Sequence, residues 1–219
     1  MYINNEQTAR INDLASKVEK NTGIEVVVAL VGKCDSYPEI PWKAFAVASS
    51  AGALLILVHA LLWPAQAAGW LSIPLALAAA LGAGIVTAFL SILWPAFGRL
   101  FLDRFRAETE INQYAKALFL ERELFRTRDR TGILILISLF ERRMVILPDS
   151  GAAGLLAPAA LQKIVDDTTP HLRRKERFQA LVSALASLEA ELLRAGPVSR
   201  LKAANELPDE IIQRKGEER

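Results

Sequence analysis

Cysteine is all but missing: Cys34 stands alone among 219 residues, so no internal disulfide can form and the polar parts of the chain need no oxidising compartment. Charge is missing more locally. From residue 44 to residue 98 there is no Asp, Glu, Lys or Arg, and His59 is the only titratable side chain in that stretch. A bilayer explains so long an uncharged run. The opening MYINNEQ has neither a basic region nor an apolar core, so no secretory signal is expected there and insertion is expected from the internal segment. Also missing are a Ser-His-Asp set, zinc-ligand spacing, a Walker sequence and a dinucleotide fingerprint, which removes the commonest enzyme classes. A net charge of only +2, without aromatics interleaved among cations, removes nucleic acid as a partner.

What is present begins with two apolar runs, at 44–63 and 71–94, separated by the short uncharged PAQAAG at 64–69. At about 1.5 Å per residue each run can cross a hydrocarbon core of ~30 Å, so the pair reads as a transmembrane helical hairpin over 44–98. The four tryptophans fall at the ends of these runs, Trp42 and Trp94 at one face and Trp63 and Trp70 at the other, where an indole keeps its ring apolar and its N–H wet. Small residues recur at every fourth position, Ala44, Ala48 and Gly52 in one arm, Ala76, Ala80, Gly84 and Ala88 in the other. Such stripes let backbones approach, either arm to arm or in a homo-oligomer through the hairpin. Lys33, Lys43, Arg99, Arg104 and Arg106 all lie on the side of the termini, which places both termini in the cytoplasm of a bacterial-type inner membrane. His59 and Thr87 have no acidic partner in the spans and do not make an ion path.

The polar remainder reads as one domain in two pieces, 1–43 and 99–196, followed by a polar, mobile tail at 197–219. Residues 5–21 repeat apolar side chains at helical spacing, with Gly23 placed to end the helix. IEVVVALV at 24–31 is apolar on both faces, as a strand covered on both sides is. Residues 101–125 read as a long helix continuing the second crossing. TGILILISLFERRMVILPDSG, from 131 to 151, is two apolar runs around Phe-Glu-Arg-Arg and predicts an antiparallel hairpin. Helices are expected at 158–169, closed by Pro170, and at 174–194. The order predicts an α/β fold, a mixed sheet covered by helices.

At these residues, in TGIEVVVALV, in YAKALFLERELFRTRDRTGILILISLFERRMVILPDSG and in LQKIVDDTTPHLRRKERFQALVSALASLEAEL, the chain resembles the TPM-domain family. The resemblance implies a Rossmann-like three-layer α/β/α sandwich with a mixed sheet, and, from some members, acid phosphatase activity or calcium binding. Against the family pattern, the membrane segment lies inside the domain and HLRRKERF replaces a glycine-rich step.

In such sheets ligands sit at the carboxyl ends of strands. Lys33 and Asp35 follow the first strand there, and Glu141, Arg142 and Arg143 follow the second, so these ends are expected to be neighbours. Three readings compete for them. Asp35 and Glu141 are the candidate catalytic and metal-ligating pair of a membrane-tethered phosphatase with a divalent cation such as calcium or magnesium. Lys33, Arg142 and Arg143 are candidates for docking lipid headgroups or a membrane or cytoplasmic protein. The third is a solvated turn with local ion pairs. PDSGAAG at 148–154 lacks the Gly-Lys-Ser/Thr ending of a phosphate loop and reads as a turn. His171 reads as a surface loop residue with no carboxylate beside it. The leading expectation is a non-enzymatic module, needing no cofactor, that recruits or regulates a partner at the bilayer.

Overall fold

The computed structural model describes residues 2–64, 72–127, 129–196 and 211–216. In chain order the elements are α1 (Asn5–Thr22), β1 (Val26–Val31), α2 (Glu39–Leu62), α3 (Ser72–Leu93), α4 (Pro95–Gly98), a 3₁₀ turn (Arg99–Phe101), α5 (Arg104–Glu121), a second 3₁₀ turn (Leu124–Arg126), β2 (Ile133–Ser138), β3 (Arg143–Pro148), α6 (Ser150–Ala153), α7 (Pro158–Arg173), α8 (Arg177–Ala195) and β4 (Ile212–Arg214). They fall into two compact units, Met1–Ser36 with Ala107–Arg219, and Tyr37–Arg106.

The first unit is built on a sheet in the order β3-β2-β1-β4. Parallel β1 and β2 pair from Val26↔Ile133 to Val31↔Ser138, β3 runs antiparallel to β2, and β4 runs parallel to β1. Every residue of β1 and β2 is buried, because both faces are covered. Alternation along the strands sorts the side chains. Val26, Val28, Leu30, Ile133, Ile135 and Ile137 pack against α1, α7 and α8. Val27, Ala29, Val31, Leu134 and Leu136 meet Ile111, Ala115 and Leu118 of α5 on the other face. Three layers result, the α/β/α arrangement that the family resemblance implies. Burying each of these Val, Leu or Ile side chains contributes about 1.5–3 kcal/mol before conformational entropy is set against it.

Local signals set the helix ends. Asn4 accepts from the Gln7 backbone N–H at 2.7 Å while the Gln7 side chain accepts from Asn4 N–H at 3.2 Å, a reciprocal capping box. Gly23, at φ 72°, closes α1 in the left-handed conformation.

Four expectations are corrected. Residues 101–125 do not continue the second apolar helix: Pro95 offers no N–H, and Trp94 before it is extended, so α3 stops and α5 starts afresh at Arg104. Pro170 does not close α7 but lies inside it. Its missing N–H costs one bond near the helix end, and buried Leu172 holds the last turn to the core. The closing helix starts at Arg177, after Lys175 takes φ 64°. The expected tail is not all tail: Ile212 and Ile211 are buried, and 212–214 is the strand β4.

The second unit is a pair of packed helices, α2 and α3. Glu39–Leu62 and Ile73–Leu93 are long and apolar enough to cross a membrane; none of the apolar stretch of the first and 17% of that of the second is buried. The small-residue stripes face each other. A Cβ on Gly52 would lie 3.4 Å from Ala80 Cα, and one on Gly84 would collide with Ser49 Oγ and come within 2.8 Å of the Phe45 ring. At the opposite end of the unit's sequence from its turn, Arg106 Nε lies 3.1 Å from Glu39 Oε1 and its guanidinium 5.9 Å from the centre of the Tyr37 ring. Entry and exit of the unit are thereby clasped. Trp42, Trp63 and Trp94 are exposed; Trp70 and the connecting turn from residue 65 lie outside the described residues.

Candidate functional site

The expected meeting of strand ends occurs. Beyond Val31 the pairing with the second strand continues into the turn, with Leu139 N–H donating to Val31 O and Phe140 N–H to Gly32 O, each at 2.9 Å. On the other side Gly32 N–H donates to Arg214 O at 2.9 Å, and a Cβ on Gly32 would sit 2.5 Å from Lys215 O. Only glycine lets the chain pass between two neighbours this close.

Past Gly32 the chain turns sharply. Lys33 Nζ donates to Ser36 O at 2.6 Å and lies 5.1 Å from the centre of the Phe140 ring. Asp35 Oδ1 accepts from Ser36 N–H at 2.7 Å. Glu141, which a solvated turn would leave in water, is instead only 7% exposed. Its Oε1 accepts from Cys34 N–H at 2.9 Å, and its Oε2 from the Ser138 hydroxyl. Arg142 takes φ 51°, which turns the chain back into β3. Arg143 is paired with Glu108 of α5 at 3.3 Å.

At this edge a buried thiol lies within electrostatic reach of several carboxylates. Burial first, then the Glu141 carboxylate, push the Cys34 thiol up to about 12, with Glu110 and Asp35 adding to the rise. A thiol so placed stays protonated and is no nucleophile at neutral pH. Among the described residues no three His, Cys, Asp or Glu side chains gather closely enough to hold a metal ion. Asp35 and Glu141 are two carboxylates, and both oxygens of Glu141 already accept from the chain's own donors.

Other motifs resolve as structure. Ser150–Ala153 forms one helical turn capped by Asp149, and Gly151 N–H is taken by Arg130 O at 2.9 Å, so the glycine step cradles no anion there. His171 is helical, not in a loop, and its Nδ1 lies 2.7 Å from Glu176 Oε2.

Sequence reasoning missed Ser138, β4 and the clasp of Arg106 on Glu39 and Tyr37. The first left a signal, a Ser three residues before a Glu at the end of an apolar run. The others left none, since the contacts join distant stretches of chain.

The family model of the TPM domain, labelled TPM phosphatase, matches residues 100–191. Among solved structures the chain is similar to the BA42 protein of the psychrophilic bacterium Bizionia argentinensis, determined by NMR, with a TM-score of 0.58 and 14% sequence identity over 97% of this chain and 96% of that one. At that identity the likeness is one of fold. No curated protein matches the chain.

Proposed function

With residues 100–191 a TPM domain, we propose that the chain is an integral membrane protein in which α2 and α3 cross the bilayer and the TPM-type α/β unit works at the cytoplasmic surface as a recruiting or regulatory module. One observation carries this reading: β1, before the two apolar helices, pairs in parallel with β2, after them. Two partners in one sheet must share one side of a bilayer, so the chain that leaves must return. Two crossings do that. Their outward side chains, Leu54, Leu55, Leu61, Leu75, Phe89 and Ile92 among them, are exposed and need lipid to cover them. Lys43, Arg99, Arg104 and Arg106 at the terminal side favour the cytoplasm, and the membrane is of the bacterial inner type on this reading.

The partner is the lipid bilayer together with a second membrane or cytoplasmic protein, and no nucleic acid. A homo-oligomer would have to use outward faces of the hairpin, because the small-residue stripes serve the contact between its own arms. Labelling of cysteines introduced at exposed positions tests the topology in intact cells. Positions near Asn5 and Lys215 should both be shielded from a membrane-impermeant reagent; opposite behaviour of the two ends overturns the proposal.

The phosphatase label of the matching family model keeps a second reading in view, a membrane-tethered, metal-dependent phosphatase using Asp35 and Glu141. Phosphate release by the purified protein that requires a divalent ion and disappears in Asp35→Ala would establish it. On the first reading neither the activity nor the ion requirement is found.

A further inference from the structure

The segment from Trp94 to Arg106 has the composition of a membrane surface contact rather than of a linker. A chain leaving a bilayer for water ordinarily turns polar at once. This one reads WPAFGRLFLDRFR. It does not run straight on from α3 either. After Trp94 it makes α4, the 3₁₀ turn and an extended step at Leu102, and only then starts α5, where Asp103 Oδ1 caps the Arg106 N–H at 3.0 Å. The excursion is folded back on the helix ends. A Cβ on Gly98 would lie 2.6 Å from Ser91 O and 3.6 Å from Ile40 Cγ2, and Phe97 and Phe101 pack edge to face with centroids 5.5 Å apart.

On this compact excursion Phe97 and Phe101 are half-buried, whereas Leu100 is 75% and Phe105 80% exposed, beside exposed Trp94 and, on the first turns of α2, Trp42. Interleaved with them are Lys43, Arg99 and Arg104. Within Tyr37–Arg106 every charged side chain lies at this end, four cations against the two carboxylates Glu39 and Asp103, an excess of positive charge. The carboxyl of Asp103 is held below its ordinary value chiefly by the Arg106 N–H, with Lys43 contributing, which places α2's first turns within electrostatic reach of the excursion. Large apolar groups flanked by cations, on a short structure continuous with two apolar helices, match the headgroup and acyl boundary of an anionic bilayer.

We propose that residues 94–105, with Trp42 and Lys43, form an in-plane collar at the charged end of the hairpin that inserts Leu100 and Phe105 at headgroup level and binds anionic phospholipid through Lys43, Arg99 and Arg104. The collar rests on the reading of α2 and α3 as membrane-crossing, and adds to it a lipid preference and a depth. It also explains why α3 ends at a proline: a helix carried straight through would lift these side chains into water.

The full-length protein, reconstituted in vesicles of phosphatidylcholine with or without phosphatidylglycerol, provides the test. Environment-sensitive probes are attached to cysteines at Leu55, Leu100 and Phe105 in a Cys34→Ala background, and quenched by lipids labelled at the headgroup or deep in the chain and by aqueous iodide. A deep Leu55 probe with Leu100 and Phe105 probes at headgroup depth supports the collar. A deep Leu55 probe with Leu100 and Phe105 open to iodide overturns the collar and leaves the anchor standing. A Leu55 probe open to iodide overturns both. In the same vesicles the triple substitution Lys43→Gln, Arg99→Gln, Arg104→Gln should lower the preference for phosphatidylglycerol over phosphatidylcholine, by about fivefold per cation removed. Loss of that preference with an unchanged melting curve supports the cation role, whereas an unchanged preference overturns it. Should the triple variant fail to fold, Leu100→Gln with Phe105→Gln is read instead by the depth of a probe at Trp94, which moves outward if the collar is seated and stays put if it is not.

Discussion

Glu141 ties together two pieces of chain 107 positions apart by accepting from Cys34 N–H, and it ties its own hairpin turn by accepting from Ser138. Removing a buried acceptor leaves its donors unsatisfied, which costs about 1–3 kcal/mol. Glu141→Ala should therefore lower the midpoint of chemical unfolding measurably. Glu141→Gln, which keeps an acceptor oxygen for Cys34 N–H, should lower it less. Equal losses in the two variants would place the effect in packing rather than in the bonds. The same residue shapes the thiol. Because Cys34 is pushed from its ordinary 9.0 up to about 12, it is protonated in both folded and unfolded chains below pH 9, and stability does not depend on it there. Above pH 9 the unfolded chain ionises and the folded one resists, so stability falls as pH rises toward 12, by at most about 1.4 kcal/mol per pH unit. That slope should be shallower in Cys34→Ala, and the native thiol should be silent to Ellman's reagent at pH 8 until the protein is unfolded. Rapid labelling of the folded protein would contradict the buried placement.

At the scale of elements, two glycines of α3 make opposite demands. A Cβ on Gly84 meets Ser49 and Phe45 of α2, while one on Gly82 meets nothing within 4 Å. Overpacking a tight contact costs typically about 1–3 kcal/mol. Gly84→Leu should thus lower the melting temperature of the detergent-solubilised protein, and Gly82→Leu should leave it near that of the parent; similar effects from both would mean the arms do not pack through this stripe. β4 makes a second demand. It covers the edge of β1, its Gln213 side chain accepts from Tyr2 N–H at 2.8 Å, and Arg214 forms a two-point pair with Glu121 of α5. That pair holds the Glu121 carboxyl below its ordinary range, chiefly by the hydrogen bond from Arg214. Ending the chain after residue 210 uncovers the β1 edge and should promote aggregation through it, readable by size-exclusion chromatography. Continuous apolar runs and 3.6-residue patterns made α1, β1, β2, β3 and α8 legible in the sequence, because burial on one or both faces writes itself into neighbouring residues. β4 was not legible, since a three-residue edge strand is set by its docking partner and not by its own composition. Glu141 was legible as a member of the strand-end cluster but not as buried, because its partners Cys34 and Ser138 are small residues with no pattern of their own.

For the whole molecule, the issue is how one α/β unit tolerates an insertion of two apolar helices between β1 and α5. The answer lies in the clasp: Glu39 at the start of α2 and Arg106 near the start of α5 are 3.1 Å apart, with Tyr37 under the guanidinium. An insertion whose ends meet asks of its host no more than a short loop would, and loop-closure entropy grows only slowly with the length inserted. Among the described residues, moreover, the members of the two core clusters around the sheet lie outside Tyr37–Arg106. Replacing residues 39–105 by a short Gly/Ser linker should therefore give a water-soluble protein that keeps its β1–β2 pairing and unfolds cooperatively. Amide protection along Val26–Val31 and Ile133–Ser138, measured by hydrogen exchange, is the readout. If those strands exchange freely while the full-length protein in micelles protects them, the α/β unit depends on its insertion for folding, and the clasp is a folding requirement rather than a closure.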